Sequence, residues 1–229
     1  MRRRDVLKAL GGAAACLAAG EALADHKEDG KGPMGPLSKF HAYLCAFHLA
    51  KKDAKFVLEA HHYCAAVNDE VHQCVIFDKV GDGARILGVE YIISDRIYRT
   101  LPAAERKYYH PHAYEIISGQ LLAPGLAPEA EDKLMAGLLT TWGKTWHTWP
   151  DPKTALPMGE PLLMWAATRD GHIPPELLAA RDREMKISTP DIRKRRAVLG
   201  PVPQIDAPKS VDDLGRQWTN EGPDVRPQK

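Results

Sequence analysis

No stretch of the 229-residue sequence is apolar over the roughly 20 residues that a membrane-crossing helix needs. Cysteine is scarce, with four residues in all, which is too few for a disulfide framework. The fold must therefore rest on its apolar core. Neither sign of charge dominates: 31 Lys and Arg face 30 Asp and Glu, a formal charge of +1. A near-neutral chain is not built to coat nucleic acid. Also missing are a glycine-rich phosphate loop, a G-x-S-x-G nucleophile turn, a helical H-E-x-x-H and any internal repeat. These absences remove the commonest sequence routes to nucleotide binding, serine hydrolysis and zinc proteolysis.

What is present begins at the N-terminus. Arg3-Arg4-Asp5-Val6-Leu7-Lys8 precedes a Gly/Ala-rich apolar stretch from Ala9 to Ala19 and a small-residue site, Ala22-Leu23-Ala24. The pattern reads as a twin-arginine export signal, an address that is removed and stands outside the fold. An ordinary secretory signal, or a lipoprotein signal modified at Cys16, are the competing readings. The expectation is recognition by the twin-arginine translocation machinery, cleavage near Ala24, and a periplasmic or secreted protein with no transmembrane segment. The signal carries four basic and two acidic residues, so its removal takes the formal charge from +1 to −1. Residues 25–36 read as a flexible leader, 37–199 as one domain, and 200–229 as a proline-rich extended tail.

Within the domain, Phe40, Leu44, Phe47 and Lys51 follow steps of three and four, which predicts a helix from Ser38 to about Lys52 carrying His41, Cys45 and His48 side by side. Phe56 to Val67 and Val71 to Phe77 flank Asn68-Asp69-Glu70 and read as a β-hairpin. Ile86 to Ile93 is a third strand. Ser94 can cap a short helix through Leu101, and Pro102 can open another through Tyr109. Tyr114 to Leu122 reads as a fourth strand. Pro128 and the acidic Glu129, Glu131 and Asp132 open a helix with Leu134, Leu138 and Trp142 on one stripe, ended by Gly143. Thr145 to Trp149 is a strand, Leu162 to Thr168 a strand or buried helix, and Pro174-Pro175 start a helix to about Lys186. Arg193-Lys194-Arg195-Arg196 reads as a solvated helix end. Several neighbours look like hairpins rather than βαβ units, so the expected fold is α+β, with a mainly antiparallel sheet flanked by helices.

The ten histidines fall into groups: His41 and His48; His61-His62; His110-Pro111-His112 with Glu115; and His147. Imidazole is the commonest protein ligand for zinc, copper and iron. His110 and His112, two apart on an extended segment, point to one side and can chelate one ion, with Pro111 holding the backbone extended. The candidate ligands are His62, His110, His112 and His147, with Glu115 or Glu90 as a carboxylate ligand or catalytic base. A closed set of four reads as structural and an open position as catalytic. With a two-residue turn at Asn68-Asp69, Cys64 faces Gln73 and Cys74 lies on the other face, which predicts free thiols. One extra residue would bring the two sulfurs opposite each other. His62 shares a face with Cys64, and His61 shares the other with Tyr63. Trp142, Trp146, Trp149 and Trp165 read as core, with a lining for an apolar ligand as the alternative.

Several strings carry a resemblance. Cys45-Ala46-Phe47-His48, Glu59-Ala60-His61-His62-Tyr63-Cys64, Gln73-Cys74-Val75-Ile76-Phe77-Asp78 and Gly88-Val89-Glu90-Tyr91-Ile92-Ile93-Ser94 occur in that order. They are followed by His110-Pro111-His112-Ala113-Tyr114-Glu115 with Ser118-Gly119, by Gly143-Lys144-Thr145-Trp146-His147, and by Thr168-Arg169-Asp170-Gly171. Together they resemble the oil-body-associated proteins of plants and their bacterial relatives, from about Phe40 to Met185. The resemblance implies a domain with no established reaction, associated in plants with seed lipid droplets. It also implies a small apolar or lipid ligand as the alternative to metal. The export signal is where this chain departs from the plant pattern.

Overall fold

The computed structural model describes residues 35–200. The export signal, nearly all of the leader and the tail lie outside the described residues. After a 3₁₀ turn at Gly35–Lys39 the chain enters β1 (Ala42–Ala50), β2 (Asp53–Asn68), β3 (Val71–Phe77) and β4 (Ile86–Ser94). The short helices α1 (Asp95–Thr100) and α2 (Ala103–Arg106) follow, then β5 (His110–Pro111), α3 (Ala113–Ile117) and α4 (Pro128–Leu138). β6 (Thr141–His147), β7 (Leu162–Trp165), α5 (Pro175–Met185) and α6 (Thr189–Arg196) complete the domain.

All pairings are antiparallel. β4, β3, β2, β1, β7 and β6 lie in that order, and β6 pairs back onto β4 from Gly88↔His147 to Ser94↔Thr141. The result is a single domain built on a closed six-stranded barrel with several helices, so no barrel strand is left as a free edge. β5 adds to β6 at Gly143 and Trp142. Closure depends on a missing side chain: a Cβ at Gly88 would stand 1.8 Å from the Trp146 carbonyl oxygen.

The hairpin and third strand form where the sequence placed them, and Ser94 caps α1 by accepting from the Ile97 amide. Three readings are corrected. The segment from Ser38 to Lys52 is not a helix but contains strand β1, buried on both faces from Leu44 to Ala50. Its inner face meets the barrel interior. On its outer face Cys45 clusters with Met185, Ile187 and Ile192, and Phe47 with Leu177 and Leu178. With both faces apolar, the two-residue period that betrays a strand was erased. Tyr114 to Leu122 is likewise not a strand: α3 occupies its first half, and only Leu122 bridges to Cys45. Trp142 belongs to β6 rather than to the stripe of α4, and stacks on Tyr98 with ring centroids 3.7 Å apart.

The cysteine expectation is also overturned. The turn falls one residue later than expected, at Asp69-Glu70, and a bulge between Ala66 and Asn68 leaves Val67 unpaired. The later turn moves the register by two residues and the bulge takes one back, so Cys64 faces Cys74 and the pair forms a disulfide. Cys45 is the free cysteine among the described residues.

The basic run is a solvated helix end only in part, with Arg193 and Lys194 exposed. Arg196 is fully buried, donates to the carbonyls of Ile116 (2.9 Å) and Leu121 (2.7 Å), and pairs with Glu131 and Asp132. Arg181, equally buried, donates to the Gln120 carbonyl and Thr189. Together they anchor residues 116–121 over one end of the barrel, where Ile116, Leu121, Met135 and Leu138 pack on Leu44, Ala46 and Ile92. Burying each side chain of that size contributes about 1.5–3 kcal/mol. Towards the other end, Ala50, Leu162 and Met164 form one cluster and Ala60, Ile76 and Leu87 another.

Candidate metal centre

Between those apolar layers the barrel interior turns polar. Alternation along β1 sets Leu44, Ala46, His48 and Ala50 on one side, and along β2 it sets Ala60, His62 and Cys64 on the facing side. β4 contributes Glu90 and β6 contributes His147. His110 comes from β5, held against Gly143 by strand pairing, and His112 follows at the N-terminal edge of α3. All six side chains are buried.

Their polar atoms converge on the Glu90 carboxylate. Oε2 lies 3.1 Å from His62 Nε2, and Oε1 lies 3.4 Å from His110 Nε2 and 3.3 Å from His112 Nε2. His48 Nε2 stands 3.0 Å from His62 Nε2, and His48 Nδ1 stands 2.9 Å from His147 Nε2. Ligand atoms bound at about 2.0–2.1 Å to one ion sit roughly 2.8–3.4 Å from each other, from octahedral at the short end to tetrahedral at the long end. The four separations around Glu90 and His62 fall in that interval. Two compact donor groups result, His48–His62–Glu90 and Glu90–His110–His112, sharing the carboxylate.

Thr141 holds the His112 ring in place. Thr141 Oγ1 donates its only proton to the Leu138 carbonyl at 2.7 Å. His112 Nδ1 lies 2.8 Å from the same oxygen, a contact that holds the ring in orientation. Nε2 of the same ring points at Glu90 Oε1, 3.3 Å away. A second observation concerns space. A Cβ on Gly143 would lie 2.0 Å from Glu90 Oε1 and 2.6 Å from both His110 Nε2 and His112 Nε2. The glycine leaves open a point towards which three donor atoms converge.

Electrostatics point the same way. Burial works against the Glu90 charge, but contacts from His110, His112 and His62 outweigh it and hold the carboxyl well below the usual range. Burial also lowers His48, His110 and His147, the last to about 3, so these rings are neutral and their lone pairs available. Glu115 behaves oppositely: burial and the nearby Glu90 charge push it well above the usual range. Nδ1 of His62, His110 and His147 is buried without a hydrogen-bond partner among the described residues. Such groups cost about 1–3 kcal/mol each, and binding of an ion at the opposite nitrogens is the kind of gain that offsets them.

Of the residues proposed from sequence, His62, His110 and His112 thus meet around Glu90. His147 reaches that group only through His48. Glu115 lines the adjoining cavity of about 10 Å³ but belongs to neither compact donor group. Sequence reasoning missed His48 as a donor because it set His48 on a helix beside His41 and Cys45. The alternation of Leu44, Ala46, His48 and Ala50 with buried Cys45, Phe47 and Leu49 was the available signal, and it was masked by apolar residues on both faces.

A family described as "Protein of unknown function (DUF1264)" matches residues 34–200. Oil body-associated protein 1A of Zea mays is 41% identical over 165 residues, covering 72% of this chain and 69% of its own length. Oil body-associated protein 1B of Arabidopsis thaliana is 37% identical over 165 residues, covering 72% and 68%. Oil body-associated protein 2C of the same plant is 34% identical over 190 residues, covering 82% and 78%. No solved structure matches the chain. The matched span takes in the whole barrel and its cap, and the chain belongs to the DUF1264 family, to which it is joined by its likeness to the plant oil body-associated proteins.

Proposed function

We propose that this protein binds a first-row transition metal, zinc, copper or iron, inside its barrel. The donors are the Nε2 atoms of His62, His110 and His112 and the carboxylate of Glu90, with His48 completing the set and His147 orienting His48. The observation that carries the reading is the convergence of three imidazole Nε2 atoms on one buried carboxylate. Imidazole and carboxylate donors without sulfur suit any of the three metals. The adjoining cavity of about 10 Å³ holds one water and no organic substrate, which favours a structural centre or one acting on a very small molecule. Metal analysis of untagged protein tests it. The expected result is stoichiometric metal and a melting temperature that falls on chelation; metal-free protein indifferent to zinc, copper and iron would overturn it.

A second reading has one feature in its favour. A cleft of about 600 Å³ runs between residues 122–128 and the α5–α6 connection, walled by Leu122, Leu126, Met185 and Ile187. That size suits a small apolar ligand, and the relatives named above are oil body-associated proteins. Failure to float with liposomes, with no lipid co-purifying, would remove it. For location we propose twin-arginine export, a route open to chains already folded around an ion. Replacing Arg3-Arg4 by Lys-Lys is expected to leave precursor in the cytoplasm, and normal delivery would refute it.

A further inference from the structure

The outer face of the β1–β2 ribbon carries a second donor cluster, back to back with the first. Cys45 and His61 are directly opposed across the two strands, and Glu59 sits two residues before His61 on the same face. Cys45 Sγ lies 3.2 Å from Glu59 Oε1, and His61 Nε2 lies 3.6 Å from the same oxygen. The second distance is beyond hydrogen-bonding range, so Glu59 does not hold His61 Nε2 by a hydrogen bond. The three donor atoms lie within 4.8 Å of one another. Tyr43 stacks on His61 and its hydroxyl sits 2.9 Å from His61 Nδ1, which holds the ring in place and leaves Nε2 for a ligand. The Arg181 guanidinium runs nearby over the Phe47 ring, but its hydrogen bonds go to Gln120, Gly119, Thr189 and Asp182 rather than to Glu59.

We propose that Cys45, Glu59 and His61 form a second metal site, selective for zinc and independent of the imidazole centre inside the barrel. A thiolate, a carboxylate and an imidazole are a zinc donor set, and three protein donors leave a fourth position open. Charge closes as well: the dication is neutralised by one thiolate and one carboxylate, which suits a largely buried place. Binding replaces the Cys45 thiol proton, which leaves to solvent as the sulfur–metal bond forms. Entry is from the Glu59 side, where that side chain keeps 17% of its exposure.

Cobalt(II) substitution tests this, because the inner donors contain no sulfur and Cys64 and Cys74 are bridged. Protein prepared without reductant and loaded with cobalt(II) is expected to show near-ultraviolet thiolate-to-cobalt charge-transfer absorption. Cys45→Ser should abolish that absorption and lower zinc content by one equivalent while the visible cobalt bands of the inner centre persist. Glu90→Gln should do the reverse, so the two centres fail separately. Should Cys45→Ser not fold, Glu59→Gln and His61→Gln must each weaken the charge-transfer band. Its absence from loaded wild-type protein, or its survival in Cys45→Ser, overturns the proposal.

Discussion

His61 and His62 are adjacent in the chain and belong to different chemical settings. His62 points into a sealed barrel and meets other imidazoles and one ionised carboxylate. His61 points outward, is lowered to about 4 by burial and its neighbour His62, and meets a tyrosine, a carboxylate and a thiol beneath the helices. A strand's two-residue alternation is enough to build two unlike donor sets from one His-His pair. The inner set is nitrogen-rich and enclosed by six strands; the outer one contains sulfur and keeps a partly exposed edge.

The strongest way to break the comparison is at Gly143. Gly143→Ala puts a methyl where Glu90, His110 and His112 converge, so the inner metal should be lost entirely and the outer metal kept. Overpacking adds about 1–3 kcal/mol of destabilisation. Metal analysis with calorimetry reads both, and retention of the inner ion would show that it sits elsewhere. Next in size is the disulfide. Cys64→Ala/Cys74→Ala opens a link of sequence separation 10 and should cost about 2–3 kcal/mol in denaturant unfolding, with both metals still bound. Metal loss in that variant would mean that the bridge positions His62.

Thr141→Val sharpens the inner site. It removes the hydroxyl that fixes His112 and should weaken inner metal affinity about 10–100-fold without touching cobalt–thiolate absorption. Unchanged affinity would show that the hydroxyl does not position His112 for the ion. The effect that is smallest per step is that of pH on the metal-free protein. His147 is neutral in the fold down to about 3, whereas an unfolded histidine takes up a proton near 6.5. The unfolded state therefore binds more protons between those values. Stability should fall by about 1.4 kcal/mol per pH unit from this group as pH drops through that window, and stay flat above it. The metal-bound form should lose stability at least as steeply, because protons then compete with the ion for its imidazole ligands, and a clearly shallower slope for it would argue against an inner ion.

Parts of this could be read in the sequence and parts could not. The β2–β3 hairpin, Ile86 to Ser94 and the Pro-initiated helices were legible because local signals suffice: alternation, a capping Ser94, Pro128 and Pro175 at helix starts. β1 was not, since Leu44 to Ala50 is buried on both sides and its three-and-four spacing imitates a helix. The disulfide escaped because a bulge at Val67, invisible to pattern, sets the register. His110 and His112 were legible as a pair from spacing alone. Their meeting with His62 and Glu90 was not, because it depends on β6 closing onto β4, a pairing with no local signature.

That closure bears on time as well as on architecture. An inner ion held by β1, β2, β4 and the β5 segment has strands on every side and the α3–α4 cap above it. It cannot leave by one side chain swinging away. Release has to wait for the cap to lift or the β4–β6 seam to part, so exchange should follow the clock of partial unfolding and not that of ligand dissociation. Loading and stripping of the inner metal should then be slow, with a chelator removing it only over long incubation or under mildly denaturing conditions.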